Sequence, residues 1–233
     1  MLGEFVSYFG WFTVGNITRV SFKYYAYALA ITVVLCLFLI SLVDDPVARL
    51  FVERYRSFHG SKLAVDGVVF VVPISGAVFF LCGYAAFGRR LSRFGEAAML
   101  AGLSAILAFA ICDFLLKPVF GRQTVYYYLP DPRLHGFRFM QGGYRSSFPS
   151  GHTAIVVSML TVFWRYYPRW VLLYSALFLV AAIVLVVGEW HFVSDIVAGA
   201  FLGAASALAI ADRFQTRLRS EWPGAENAAD RPS

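Results

Sequence analysis

The stretch that decides the fold is WVLLYSALFLVAAIVLVVGEWHFVSDIVAGAFLGAASALAIA, residues 170–211. Two apolar runs flank a short polar island in it, and each run has close to the roughly 20 residues that an α-helix needs to cross a bilayer. Charge inside hydrocarbon is costly, so acidic and basic residues collect at the ends of spans. The stretch therefore predicts two membrane-spanning helices joined by a short loop.

The rest of the chain repeats this alternation of apolar runs and charged islands. Of its 233 residues 59% are hydrophobic and 15% are charged, whereas about a quarter of the residues of a soluble domain are charged. We predict an all-α fold, a six-helix transmembrane bundle. Its spans are residues 24–43, 64–86, 97–119, 152–166, 170–189 and 193–211.

The two ends of the chain differ from this bundle. Residues 1–23 are rich in Phe, Tyr and Trp, which predicts an N-terminal interfacial helix, although the glycines there leave an unstructured leader as the alternative. Residues 24–212 form the six-span domain, and residues 213–233 read as a polar cytoplasmic tail. An even number of spans places both termini on one side, and the distribution of Lys and Arg favours the cytoplasm once one long loop is set aside.

Composition excludes two other classes of protein. The three cysteines all fall in apolar runs, so they predict no disulfide framework. The net charge of +6 is spread over every loop and forms no single basic stripe, which argues against a nucleic-acid partner.

The ionisable residues that could carry chemistry lie in three islands at the ends of spans. These are residues 113–122 (DFLLKPVFGR), 145–152 (RSSFPSGH) and 189–195 (EWHFVSD). The parity of the spans places all three islands on one membrane face. We therefore expect one assembled site.

The middle island has the features of an anion site at a helix N-terminus. Ser150 is a favoured cap, Gly151 permits close approach of a ligand, and unpaired amides there attract phosphate. An ordinary capped helix with an incidental His152 is the alternative interpretation.

The third island predicts an oriented imidazole. His191 and Asp195 are four residues apart, which would place both on one face of a helix and let the carboxylate fix the ring. An Asp that interacts with the helix dipole, or a His/Asp metal pair, would explain the spacing as well. In the first island, Lys117 and Arg122 are placed to bind phosphate oxygens, unless Lys117 only pairs with Asp113.

The three islands, in this order, resemble the signature of the type 2 phosphatidic acid phosphatase superfamily, K-x6-R-P, P-S-G-H and S-R-x5-H-x3-D. Residues 149–152 match the middle motif in full, His191 and Asp195 match the third, and Lys117 matches the first. The resemblance implies that His191 attacks phosphorus to form a phosphohistidine, Asp195 orients it, and His152 is the general acid and base.

The resemblance also implies a substrate and a place in the cell. Ser150, Gly151 and Lys117 would hold the phosphoryl oxygens of a lipid phosphate or pyrophosphate in the bilayer, with no metal and no cofactor required. A lipid phosphotransferase and a non-catalytic lipid phosphate-binding protein are the alternatives. We expect an integral protein of a bacterial inner membrane with its site on the extracytoplasmic side; the substrate and the oligomeric state stay open.

Two motif arginines are missing from this chain. Their places fall on Thr124 and Leu185. Loss of such contacts to a transferring phosphoryl group costs several kcal/mol. We expect Arg122 and Arg145 to replace them as phosphate ligands.

Overall fold

The computed structural model describes residues 21–55, 74, 76–79, 81, 83, 92–128, 136–143 and 146–221. A π-helical segment, Ile111–Leu116, joins the helices Arg93–Ala110 and Lys117–Phe120, and a 3₁₀ turn, Pro168–Trp170, precedes the helix Val171–Val187. An isolated antiparallel bridge joins Gln123 to Ser146. The α-helices are α1 (Phe22–Leu42), α2 (Asp44–Tyr55), α3 (Arg93–Ala110), α4 (Lys117–Phe120), α5 (Val125–Tyr128), α6 (Gly151–Tyr166), α7 (Val171–Val187) and α8 (Val193–Glu221).

Within these ranges the all-α prediction is confirmed, whereas the count of six spans is not. Four helical segments of the described chain are long and apolar enough to cross a membrane: Phe22–Leu42, Arg93–Phe120, Pro168–Val187 and Val193–Phe214. They correspond to the first, third, fifth and sixth predicted spans.

The two other predicted spans have different outcomes. Residues 64–86 lie largely outside the described residues, as do residues 1–20 of the predicted interfacial helix and residues 222–233 of the tail. The fourth span forms α6, which has 16 residues and is thus only about 24 Å long at 1.5 Å per residue, against about 30 Å of hydrocarbon. At the other boundary, α8 continues as a helix to Glu221, past the predicted start of the tail.

The core lies between α3, α6 and α8, and small side chains occupy many of its positions beside larger ones such as Leu100 and Val162. Ala97, Ala108 and Ala154 are fully buried. Gly199 and Gly203 of α8 face the start of α6 so closely that a Cβ on either would lie within 2.4 Å of a backbone oxygen of α6. Small residues of this kind let helix backbones approach one another where water does not drive the packing.

By contrast, α1 and α7 expose most of their apolar side chains. Ile31, Leu37, Leu172 and Val180 are each at least 60% exposed. Apolar faces of this size suit contact with lipid. The four spans therefore divide into an inner group, α3 and α8, and an outer group, α1 and α7.

One end of this bundle carries the three islands. The ends of α1 and α3 and the starts of α6 and α8 meet there. Asp44, which begins α2 directly after Val43, the C-cap residue of α1, contacts Ser194, and the Ser150 N–H donates to the Asp195 carbonyl at 3.0 Å. The predicted assembly of the islands at one place is what the structure shows.

Candidate active site

Two histidine rings face each other at the centre of the site. His152 Nδ1 lies 3.2 Å from His191 Nε2, with the rings edge to face at 5.4 Å between centroids. His152 is in the first turn of α6, and His191 precedes α8. Because His191 makes this contact through Nε2, its other ring nitrogen, Nδ1, faces away from His152.

Asp195 lies behind His191, but the geometry differs from the one expected. His191 is outside the helix, because α8 begins at Val193, so the prediction that both residues lie on one helical face is wrong. Asp195 Oδ2 accepts a hydrogen bond from the Phe192 N–H at 2.9 Å, as the third residue of a helix does in a capping box. This turn brings Oδ2 to 3.5 Å from His191 Nδ1, long for a hydrogen bond.

A buried cluster of charged and polar groups supports the other oxygen of Asp195. We call Asp44, Arg122, Ser194 and Asp195 the Arg122 cluster. Arg122 Nη1 donates to Asp195 Oδ1 at 3.0 Å and to Ser194 Oγ at 2.7 Å, while Nη2 donates to Asp44 Oδ2 at 2.9 Å. The side chains of both aspartates are fully buried, and that of Arg122 is 3% exposed. Phe192 covers the guanidinium, with its ring centroid 3.8 Å from Cζ.

Gly121 turns the chain so that Arg122 can enter this cluster. It ends α4 in the left-handed conformation, at φ 62°, and a Cβ on it would lie 2.1 Å from the Arg138 carbonyl oxygen. Only glycine adopts this conformation without strain and leaves that space. The following residue, Arg122, is consequently directed into the bundle.

The second cation of the first island is paired as well. Lys117 Nζ donates to Asp113 Oδ1 at 2.6 Å, and the Asp113 side chain is 20% exposed. This pairing was the alternative interpretation of Lys117. Gly151 brings α6 against the pair, since a Cβ there would lie 2.8 Å from Asp113 Oδ2 and 3.6 Å from Lys117 Nζ. Lys117 is thus held beside the start of α6.

Ser150 caps α6 as predicted from the sequence. Its Oγ accepts hydrogen bonds from the Thr153 N–H at 3.2 Å and from Thr153 Oγ1 at 2.9 Å. The amides of Gly151 and His152 belong to the first turn, which has no acceptor within the helix. An anion beside the two histidines would meet these amides and Lys117.

The structure thus brings together His152, His191, Asp195, Ser150, Gly151, Lys117 and Arg122. Arg145 lies outside the described residues. Thr124 and Leu185, at the places of the missing arginines, are buried, and the Leu185 carbonyl accepts from the His191 N–H at 3.3 Å. Among the described residues, no three His, Cys, Asp or Glu side chains are grouped so that they could hold a metal ion.

Two members of the Arg122 cluster were not singled out in the sequence. Asp44 is the first residue after the apolar run of α1, and Ser194 stands next to Asp195. An acid at the end of a span normally indicates only the membrane boundary. The available signal was the pair of adjacent acids, Asp44 and Asp45, directly after an apolar run, and this signal is weak.

The fold is a bundle of apolar helices suited to a bilayer, and its site holds a pair of histidines with a buried aspartate behind one of them. The chain belongs to the PAP2 superfamily, whose family model matches residues 97–219. The resemblance drawn from the three islands is therefore confirmed, and the matched region holds every predicted site residue.

Comparison with solved structures finds a match at low identity. The structure described as the first transmembrane PAP2 type phosphatidylglycerolphosphate phosphatase from Bacillus subtilis is 13% identical, with a TM-score of 0.44, over 82% of this chain and 96% of that chain. No curated protein matches the chain.

Proposed function

We propose that the protein is a membrane phosphohydrolase that removes phosphate from a lipid phosphate or pyrophosphate through a phosphohistidine on His191. The observation that carries the proposal is the 3.2 Å contact between His152 Nδ1 and His191 Nε2. It puts one nitrogen suited to attack and one suited to proton transfer within reach of the same phosphoryl group.

In the first step the lone pair of His191 Nε2 forms the N–P bond, and the bond from phosphorus to the lipid oxygen breaks. His152 starts this step as the imidazolium and gives a proton to the leaving oxygen, which leaves it as the neutral imidazole. In the second step water gives a proton to His152 and its oxygen attacks phosphorus, which breaks the N–P bond and releases inorganic phosphate. Atoms and charges balance, and both histidines return to their starting state.

The contact between the rings must open for this chemistry. In-line displacement puts phosphorus between the attacking nitrogen and the leaving oxygen, which needs more room than 3.2 Å. His152 is partly exposed, whereas His191 is 3% exposed and tied to α8. We therefore assign the movement to the His152 ring and the fixed position to His191.

The phosphoryl oxygens have three kinds of partner in the proposal. The first-turn amides of α6 and the positive end of its dipole face the anion. Lys117 stands beside Gly151 and supplies a charge. Arg122 and Arg145 remain proposed ligands, although the contacts of Arg122 with two carboxylates favour a positioning role for it.

The test is release of inorganic phosphate by purified protein from mixed micelles that contain a glycerophospholipid phosphate, a polyprenyl pyrophosphate or a sphingolipid phosphate. The panel is run with and without a chelator. We expect turnover of at least one substrate and loss of this turnover in His191→Ala. The control is His59→Ala, at a histidine outside all three motifs, which should keep wild-type turnover. Unchanged turnover in His191→Ala would refute the mechanism.

Labelled substrate separates this function from its alternatives. Hydrolysis releases the label to water, whereas a phosphotransferase moves it into an added acceptor lipid. A phosphohistidine is trapped as a label that is stable in alkali and lost in acid. Saturable binding without a trapped label or turnover would mean that the chain only binds lipid phosphates. We propose that the site lies on the extracytoplasmic face of a bacterial inner membrane. The test is to introduce a single cysteine at the site and to ask from which side of the membrane a reagent labels it.

A further inference from the structure

We infer that Asp44 is a positioning residue for the proposed reaction, acting on His191 through Arg122 and Asp195. The inference rests on the proposed function. It concerns a residue outside the matched family region, residues 97–219, and outside the three motifs.

In the Arg122 cluster the two oxygens of each carboxylate accept hydrogen bonds from different donors. Asp44 Oδ2 accepts from Arg122 Nη2 at 2.9 Å, and Asp44 Oδ1 accepts from the Ser194 N–H at 3.1 Å. Arg122 thereby reaches Asp195 through Nη1 alone, and it does so at Oδ1. Oδ2 of Asp195 is left for the Phe192 N–H and for the His191 ring.

Without Asp44, Arg122 loses the contact that holds Nη2 away from Asp195. A guanidinium forms its best contact with a carboxylate through two parallel hydrogen bonds. Arg122 would then compete with His191 for Asp195 Oδ2. Asp44 prevents this by holding Nη2, and it fixes the start of α8 as well, through the Ser194 amide and hydroxyl.

The charges of the cluster point to the same role. One guanidinium between two carboxylates leaves one negative charge in excess when all three groups are ionised. Their side chains are at most 3% exposed, so water screens this charge little. A phosphorylated His191 carries a positive ring, which the excess charge stabilises. Asp44→Asn removes the excess charge and leaves one oxygen where two now accept from Arg122 Nη2 and the Ser194 N–H, so the hold on Arg122 is weakened.

The test measures single-turnover formation of the phosphoenzyme in Asp44→Asn. We expect the rate constant to fall roughly 10- to 100-fold, since small misplacements of a reacting group cost about this much, while KM stays within about twofold because Asp44 is remote from the phosphate. A role in folding alone would lower the amplitude, through the fraction of active protein, and would leave the rate constant unchanged.

A matched control is Asp212→Asn. Asp212 is also a buried carboxylate of an ion pair, with Arg165 Nη2 at 2.7 Å, and it lies about 26 Å along α8 from Asp195 at 1.5 Å per residue. It should lower the melting temperature and leave the rate constant unchanged. If Asp44→Asn does not fold, Ser194→Ala is the second variant. It keeps every charge, removes the hydroxyl that joins Asp44 to Arg122, and should also lower the rate constant.

The outcomes separate the two proposals. Activity that survives His191→Ala overturns the proposed function whatever Asp44 does. Loss of activity in His191→Ala together with a wild-type rate constant in Asp44→Asn, or in Ser194→Ala where only that variant folds, overturns only the role of Asp44. A loss of equal size in Asp212→Asn overturns it too, since the effect would then not depend on the site.

Discussion

Replacing Arg122 by methionine should strongly destabilise the protein. Arg122 donates three hydrogen bonds of 2.7–3.0 Å inside the cluster, and its removal leaves the buried Asp44 and Asp195 without their cation. Breaking a buried ion pair by removal of one partner costs about 3–5 kcal/mol. Because two carboxylates are stranded here, we expect about 4–5 kcal/mol, a change in the unfolding equilibrium on the order of a thousandfold.

The measurement is reversible unfolding in mixed micelles, followed by tryptophan fluorescence. Arg93→Met is the matched control, since Arg93 is exposed and donates to the Tyr166 carbonyl at 2.6 Å; it should cost only about 1 kcal/mol. Adding Asp44→Asn to Arg122→Met should restore part of the loss, because it removes one stranded charge. A cost below about 1 kcal/mol for Arg122→Met, or no recovery in the double variant, would refute the reasoning.

Three further changes test the site itself. Gly199→Ala puts a Cβ 2.4 Å from the Ser150 carbonyl oxygen; this overpacking should cost about 1–3 kcal/mol in unfolding experiments and lower turnover by moving α6. Gly151→Ala raises the helix propensity by up to about 1 kcal/mol, but its Cβ would lie 2.8 Å from Asp113 Oδ2. We therefore expect an unchanged melting temperature and a severalfold higher KM for lipid phosphate. His152→Gln should slow phosphoenzyme formation about 10²- to 10⁴-fold with a lipid leaving group and far less with a nitrophenyl phosphate, whose oxygen leaves without a proton.

Each of these changes has a distinct contradicting result. Gly143→Ala is the control for both glycines, since nothing lies within 4 Å of its Cβ position. If it affects unfolding as strongly as Gly199→Ala, close helix contact is not the cause. A lowered melting temperature in Gly151→Ala would assign that residue to packing, and an equal slowing of His152→Gln with both leaving groups would exclude it as the acid.

Much of the site could be predicted because it depends on topology. Charges are confined to the ends of apolar spans, so parity alone placed Lys117, His152 and His191 at one end of the bundle. The capping role of Ser150 was equally accessible, since a cap depends on its own helix turn. These inferences used only local sequence and the hydrophobic thickness of a membrane.

The position of His191 relative to Asp195 could not be derived in that way. A spacing of four residues fits one helical face, but it fits a capping box that begins one residue later as well. The Phe192 N–H donates to Asp195, which leaves His191 before the helix. The choice depends on where α8 starts, and the boundaries of a helix follow from tertiary contacts such as those of Ser194 with Asp44.

The place of Asp44 in the site could not be predicted from the sequence for a related reason. It is 78 residues from Arg122 and 150 from Ser194 along the chain, and no periodicity links such positions. Only the packing of α1 beside α8 brings it to the site. The short length of α6, by contrast, could be predicted, since the apolar run at residues 152–166 is already shorter than the roughly 20 residues that a membrane-spanning helix needs.

The two paired cations of the site differ in their availability to phosphate. Lys117 is held by Asp113, whose side chain is 20% exposed, whereas both carboxylates of Arg122 are fully buried. A phosphate that takes Lys117 from Asp113 leaves a carboxylate that water can solvate. A phosphate that takes Arg122 leaves two that water does not reach, at a cost of several kcal/mol. We therefore propose that Lys117 is the cation that exchanges its carboxylate for phosphate, and that Arg122 acts mainly by holding Asp195 in position.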